Sequence, residues 1–551
     1  MPATWKFSSP PTDPLACRVL AFNGEDSLLT GYAFDLILSV SDVAAKDAPN
    51  LMQDLIRARL TLTGTRAKNQ NFSWHGMPAS LSYLFSDKET SLFRVLLRPR
   101  SYRLWLTAHS RIFLSMPLPQ ILSRVLTEEG FTANEDFESS LRANYAARLY
   151  TCQYNESSAN FLLRHLERVG AWTFVRQKDG KDVLVLADGD AEPEKLPLRD
   201  DLDWSQTQAD ESVFSLFRTL AAVPTKITLR DYSTELPDNP TEKSAEDAKL
   251  VGGGEVSLYG GCNLYGEGEA ASVAEQAEAA AEKLAAARVR ALAAKAGRVE
   301  GESSIPWLRA GYAVSVDKES FQLLSVRHVC NLAENEFEER MLRRARQAGF
   351  IPGTAHGYRN AFTCHPLALG AYAPECETPR PAVPGLVHAR VDAGGDGEYA
   401  ELDEHGRYKV MFFFPEKVFY TDNGDPAEGN RSIPLRMAQA HAGESSGISF
   451  PLLKGVEVLV AFTDGDPDRP LIVSALPNPK YPSVVVDKNQ QINMISTPGG
   501  HKISFTDTDG KEDLTMATPG GHKIVMNDEG GKRELRLQSP CGGNYIRIRE
   551  M

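Results

Sequence analysis

The sequence predicts a mostly β protein in three parts: a mixed α+β N-terminal region, a small β-barrel, and a C-terminal β-ribbon that needs sister copies to stay dry. Three observations carry this. The C-terminal stretch repeats every 21 residues, with TPGGHKISF starting at Thr497, TPGGHKIVM at Thr518 and a degenerate SPCGGNYIRI at Ser539. A Pro-rich segment, PECETPRPAVPG (374–385), separates chain of mixed helical and strand periodicity from chain of strand periodicity alone. Within the repeat, apolar residues alternate with polar ones, the period of a strand with one buried face.

Taken in order, the region up to about residue 375 opens with strand-like runs at YAFDLILSV (32–40) and SLFRVLLRP (91–99). A helix follows from Pro119, with Ile121, Leu122, Val125 and Leu126 on one face and Gly130 as its stop. SSANFLLRHLERVG (157–170) reads as a second helix, with Ser at its start, Phe161, Leu162, Leu166 and Val169 on one face, and Gly170 at its end. AWTFVRQ and DVLVLA flank Asp179-Gly180, a tight hairpin turn. Residues 190–265 are polar, carry a GGG at 252–254, and read as linker, edge strands and loops. The Ala/Glu/Lys-rich stretch 267–296 is the strongest helix signal, packed rather than free-standing because long helices owe most of their stability to packing. FQLLSVRHV (321–329) is a further strand. Beyond the Pro-rich boundary, GRYKVMFFFPE, IPLRMAQA, GISFPLLKGVEVLVAF and DRPLIVSALPN give the rhythm of a small barrel.

The repeat supplies the most specific residues. At the 21-residue register, one column reads Asn493, Leu514, Leu535, and two residues on comes Ile495, Met516, Leu537. After the Pro-Gly-Gly turn come Ile503, Ile524 and, one residue later because of the inserted Cys541, Ile546; then Phe505, Met526 and Ile548. Each repeat is therefore two short strands with one apolar side. A lone ribbon of this kind is marginal, and its open edges invite aggregation. It either coils on itself as a single-chain β-helix or wraps with identical ribbons. Few copies and thin coils favour intertwining, and a trimer is the smallest closed prism. His501 and His522 share parity with the apolar columns, so they either point inward as rings of imidazoles around an ion or face solvent on the turn.

Composition bounds the function. The 551 residues carry a net charge of −13, which argues against general nucleic-acid binding and against electrostatic docking on an anionic membrane, while leaving room for a local basic patch. Seven dispersed cysteines without a C-x-x-C read as reduced thiols. MPATWKFSSPPTDP shows no apolar signal segment, and no run of 18 apolar residues appears.

Tests for chemistry return bland readings. Asp464, Asp466 and Asp468 have the opening of a calcium loop, but Arg469 and Val473 stand where Gly and Glu are required. A tight turn between barrel strands, with Arg469 pairing an aspartate, is expected instead. Cys364, His365, Cys376 and His388 fit no compact zinc finger. No G-x-S-x-G elbow, phosphate loop or room for an inserted hydrolase domain is seen. Phe412, Phe413 and Phe414 sit among acidic residues, unlike a single-strand-binding groove. No enzyme activity, metal or cofactor is expected.

Several stretches resemble one family. YNESSANFLLRHLERVGAWTFVRQKDGKDVLVLADG (154–189), RIFLSMPLPQILSRVLTEEGF (111–131), YAELDEHGRYKVMFFFPE (399–416) and FPLLKGVEVLVAFTDGDPDRPLIVSALPNP (450–479) are similar to VgrG, the spike of type VI secretion systems and a relative of contractile phage tail hubs. The resemblance implies a mixed α+β hub of tube-like β-barrel domains (1–375), an OB-fold neck (383–480) and a triple-stranded intertwined β-helix needle (485–551). It implies a homotrimer that pierces target membranes and carries effectors, an Hcp-type tube ring at the hub, a PAAR-type tip protein and baseplate components as partners. It also implies a chain that is cytoplasmic before assembly and injected without a signal peptide. The pattern breaks off at Arg549-Glu550-Met551, so the needle is short or continues in a longer chain, where a toxin domain would follow. A phage-like tail spike is the remaining reading.

Overall fold

The computed structural model describes all residues except 1–3, 14, 67–69, 88–89, 208–209, 233–236, 239–240, 261–269, 351–355, 421–425, 532, 541–544 and 550–551, and only the backbone of 270–277. It is mostly β and divides into two compact units: Met1–Ala382 with Pro415–Asp425, and Val383–Phe414 with Pro426–Met551.

The first unit is built on a 12-stranded sheet whose main path runs Thr4–Ser8, Leu60–Arg66, Gln70–Asp87, Thr90–Arg98, Gly31–Val40, Cys17–Ser27, Glu319–Asn331, Gly357–Pro366, Gly297–Ser303, Val213–Leu220. Its core is aromatic. Trp74 is 1% exposed. Around it stand Trp5 at 5.8 Å, Phe34 at 5.2 Å, Phe72 at 5.6 Å and His328 at 5.4 Å between ring centroids. Helix α1 (Ala48–Leu55) buries Ala48, Leu51 and Leu55 against this core.

A second core holds helices α2 (Leu118–Glu128) and α3 (Ser158–Val169). The α2 residues Ile121, Leu122, Val125 and Leu126 face Phe161, Leu162 and Leu166 of α3. The start of α3 is fixed by Ser157, whose Oγ accepts from the Asn160 N–H at 3.1 Å. The Asp179-Gly180 turn joins Trp172–Lys178 to Lys181–Ala187, with both turn residues at positive φ. Lys417–Phe419 pairs in parallel with Ala108–Pro117, and Phe419 stacks on Phe113 at 5.2 Å.

The region read as linker and loops is more ordered than its polar composition suggests. Thr241–Glu246, Lys226–Asp231 and Glu255–Tyr259 form a three-stranded sheet. Helix α4 (Ala270–Ala296) lies on it, with Ala281, Ala285 and Val289 against Ile227 and Leu229. Small alanines let the helix approach closely, so a short polar sheet gains a dry face that its own sequence does not advertise. Helix α5 (Glu336–Gln347) is capped by Asn335, whose side-chain oxygen accepts from the Glu338 N–H at 3.0 Å.

Two buried groups give this unit an expected pH response. His328 is fully enclosed, and burial followed by the Arg309 charge lowers its pKa to about 3. Burial raises the Asp26 carboxyl to about 7, against the opposing Ala310 N–H and Arg309 charge. Between the usual 6.5 of histidine and about 3, the unfolded chain binds a proton that the folded imidazole refuses, so His328 costs stability as pH falls. Asp26 acts oppositely: its folded state holds a proton that the unfolded carboxyl releases above 3.8, so its contribution is present at low pH and lost as pH rises toward 7. Removing the histidine leaves the aspartate slope. His328→Gln should therefore lose less stability than the parent chain on acidification to about pH 4.5, by about 2–3 kcal/mol. Thermal melts across that pH range measure it, and parallel curves for the two proteins refute it.

In the second unit, strands β1 (Leu386–Val391), β2 (Val410–Phe412), β3 (Glu457–Phe462) and β4 (Pro470–Ala475) form an antiparallel sheet in the order β2-β1-β3-β4. IPLRMAQA, expected as a full strand, contributes only isolated bridges, from Leu435 to Tyr408 and from Met437 to Ile472. Those bridges join the β2 side to β4 and close a small barrel. Phe412 is buried inside it and Phe413 is exposed, the two-faced outcome that consecutive strand residues require. HAGESSG forms a two-stranded hairpin, Ala442–Gly443 with Ser446–Gly447.

Candidate functional site: an open apolar ladder

The repeat forms a six-stranded antiparallel meander: β5 (Ile492–Ser496), β6 (Lys502–Thr506), β7 (Asp513–Ala517), β8 (Lys523–Asn527), β9 (Glu534–Gln538) and β10 (Tyr545–Arg549), paired in chain order. Its turns explain the spacing. In Thr497-Pro498-Gly499-Gly500-His501, the Gly500 N–H donates to the Thr497 carbonyl at 2.9 Å and the Thr497 N–H to the His501 carbonyl at 3.0 Å. The His501 N–H also reaches Thr497 Oγ1 at 3.2 Å. Thr518 to His522 repeat these bonds at 3.0, 3.0 and 3.2 Å. Gly500 and Gly521 sit at φ 84° and 88°, where a side chain is strained. A Cβ on Gly521 would lie 3.1 Å from the Pro540 Cβ, and one on Gly500 would lie 3.4 Å from that of Pro519. Successive turns therefore stack glycine on proline.

Strand register assembles the apolar columns into two rows on one face. Ile495 stands opposite Ile503, Ile503 opposite Met516, Met516 opposite Ile524, Ile524 opposite Leu537, and Leu537 opposite Ile546. The second row runs Asn493, Phe505, Leu514, Met526, Leu535, Ile548. At the usual strand spacing the ladder is about 24 Å long. It is open: Ile495, Phe505, Met516, Ile524, Met526, Leu537, Ile546 and Ile548 are all exposed, Met526 at 48% and Ile548 at 61%. The one buried apolar residue on the described strands is Val525 of β8, which by alternation faces the other way. The meander is thus a single layer and not a coil closed on itself. Cys541, the inserted residue, lies outside the described residues.

His501 and His522 are exposed where the turns enter β6 and β8. No group of three or more His, Cys, Asp or Glu able to hold a metal exists among the described residues. Cys364 and His365 are buried, and His365 Nε2 lies 3.0 Å from the Gly370 carbonyl. At the β3–β4 connection, Arg469 Nη1 lies 3.6 Å from an exposed Asp464 carboxylate, an ion pair of little energetic weight. Asp466 and Asp468 are buried, and Asp466 Oδ1 accepts from the Asp468 N–H at 3.0 Å. The Thr463 N–H to Arg469 carbonyl bond at 2.9 Å closes the turn. No helix of the described residues is long and apolar enough to cross a membrane.

The first unit decides the family. Residues 26–332 match the model of the phage tail baseplate hub (GPD). The chain belongs to that family. Among curated proteins, it is similar to the type VI secretion system spike protein VgrG1b of Pseudomonas aeruginosa, 26% identical over 474 residues, covering 84% of this chain and 59% of that protein. VgrG5 of the same organism is 28% identical, over 83% of this chain and 55% of the relative. The actin cross-linking toxin VgrG1 of Vibrio cholerae is 28% identical over 80% of this chain but only 39% of its own length. The chain thus spans less than three fifths of the length of each of these three relatives. Among solved structures, it superposes on an E. coli type VI secretion component described as similar to the T4 tail proteins gp27 and gp5, with TM-score 0.56, 20% identity, and coverage of 86% and 99% of the two chains. The lidded Francisella PdpA–VgrG complex gives TM-score 0.60 at 11% identity, covering 95% of this chain and 76% of that one. At such identities these two likenesses speak for the fold. Together with the curated relatives, they bear out the resemblance to VgrG spikes and the mostly β hub fold.

Proposed function

We propose that this hub-family chain is one subunit of a homotrimeric, cell-puncturing spike of a type VI secretion system. The observation that carries it is the open ladder. A soluble chain does not keep so many aligned apolar side chains in water without a partner surface, and each copy offers the same flat face, so three copies can close a dry prism around one axis. In this reading, residues 1–375 are the base of the hub, 383–480 the OB-fold neck and 485–551 the needle. The role is mechanical rather than enzymatic. A contracting sheath supplies force, the hub, stacked on an Hcp-type tube ring, transmits it, and the needle concentrates it on a small area of target membrane. A PAAR-type tip and effectors are the cargo. Native mass measurement tests this: a particle of three times the 60.6 kDa chain is expected, and a monomer at working concentration removes the basis of the reading.

A second reading is favoured by one comparison. The Vibrio relative is named for an actin cross-linking toxin, and this chain covers only 39% of its length. A chain of this kind can be the carrier half of a longer spike, with the toxin beyond residue 551.

A further inference from the structure

Opposite the apolar ladder, the meander presents a face whose charge runs against that of the protein. By strand alternation this face carries Lys502, Lys523, Arg536, Arg547 and Arg549, against Asp513 and Glu534. The whole chain has a net charge of −13. The basic residues concentrate in the last hairpin. Arg536 stands directly across from Arg547, a like-charge pair that is unfavourable unless an anion screens it. Earlier hairpins place neutral residues at the same positions, Met494 across from Ser504 and Thr515 across from Val525. One carboxylate serves all three guanidinium groups. Glu534 lies 3.3 Å from Arg549 and 3.8 Å from Arg536, and it pairs with Arg547. The Arg536 Nε, though buried, has no hydrogen-bond acceptor among the described residues. Lys502, Lys523, Arg547 and Arg549 are exposed.

We infer that this polar face docks on the phosphate groups of an anionic phospholipid bilayer. The array lies on one sheet face, with a lysine on each of β6 and β8 and three arginines on the β9–β10 hairpin, which suits a field of headgroups better than a single shaped ligand. Arginine presents a planar fork that binds phosphate through two parallel bonds. The acidic remainder of the chain is repelled by the same surface, so contact is confined to the needle. The inference rests on the spike reading, because the ladder must be covered for the opposite face to be the outer one. It gives that spike an electrostatic grip on the membrane it meets.

Co-sedimentation of the full chain with vesicles is the test, with phosphatidylcholine alone against phosphatidylcholine mixed with phosphatidylglycerol. Binding is expected only to the anionic vesicles, and it should weaken steeply with added salt. Replacing Arg536→Gln, Arg547→Gln and Arg549→Gln together should lower vesicle affinity about 100-fold, at the usual contribution of one basic residue near a charged bilayer. Lys502→Gln with Lys523→Gln leaves the last hairpin intact and should cost about 30-fold, which guards against a folding defect in the first variant. No binding by the parent chain, equal binding to neutral vesicles, or unchanged affinity in both variants overturns the inference. An acidic protein as the true partner would give the first of these results. Native mass of the same samples separates the two readings. A trimer that ignores anionic vesicles sinks this inference alone. A monomer that binds them through these residues sinks the spike reading, and leaves the membrane contact of this face without the covered ladder it was argued from.

Discussion

Replacing Ile524 and Met526 with aspartate should convert the assembled particle to single chains. Both residues lie on β8 in the middle of the ladder, one in each row. In a closed prism every copy contributes both, so the double variant would place six carboxylates around one axis. Each substitution removes an apolar side chain worth about 1.5–3 kcal/mol on full burial. Each also buries a carboxylate with no partner, which costs several kcal/mol more or forces it to hold a proton. Summed over three chains, the penalty exceeds what the flanking strands can restore. Sedimentation or native mass reads the result. The hub should be untouched, since its cores share no residue with the meander, and its melting transition serves as the internal control. A trimer of unchanged stability would show that this face is not the one that is covered. Replacing the same residues with leucine should leave the particle whole.

Trp74→Ala should be the most damaging single change in the hub. The indole is 1% exposed and touches Trp5, Phe34, Phe72 and His328 in one aromatic cluster. The Arg309 guanidinium lies 4.8 Å over its ring. Truncation leaves a cavity that the tightly packed rings around it cannot fully collapse to fill, at a cost of about 3–5 kcal/mol. It also strips the ring from a buried cation, which adds to the loss. A fall in the hub's melting temperature of several degrees is the expected result, while the native mass stays that of the parent. A hub that melts as before would mean that the cluster is not the keystone of this core.

Legibility along the chain followed the range of the interactions involved. Helices α2 and α3 are readable because their signals are local: a proline or serine at the start, a glycine at positive φ just after, and apolar residues at 3.6-residue spacing between. The Asp179-Gly180 hairpin is readable for the same reason. The sheet under α4 is not, because Ile227 and Leu229 become core only when Ala281, Ala285 and Val289 cover them from far along the chain. IPLRMAQA has the composition of a strand, yet it makes only bridges, since the barrel needs it to span a gap rather than to lie along a neighbour. The alternation and the 21-residue step place the ladder residues in the sequence, but not what stands beside them.

For the ladder, the division is clear. Alternating side chains and the Thr-Pro-Gly-Gly turns are properties of adjacent residues, so the sequence by itself determines short strands, one apolar side and a fixed step between repeats. Whether those strands coil or lie in one open layer depends on hydrogen bonds between strands, and so does the identity of the residue facing each side chain. Only the tertiary structure decides that Ile524 stands between Met516 and Leu537 and is exposed, and that Arg536 meets Arg547 on the reverse side. Pairing is a cooperative choice of the whole sheet, and no window of neighbouring residues contains it.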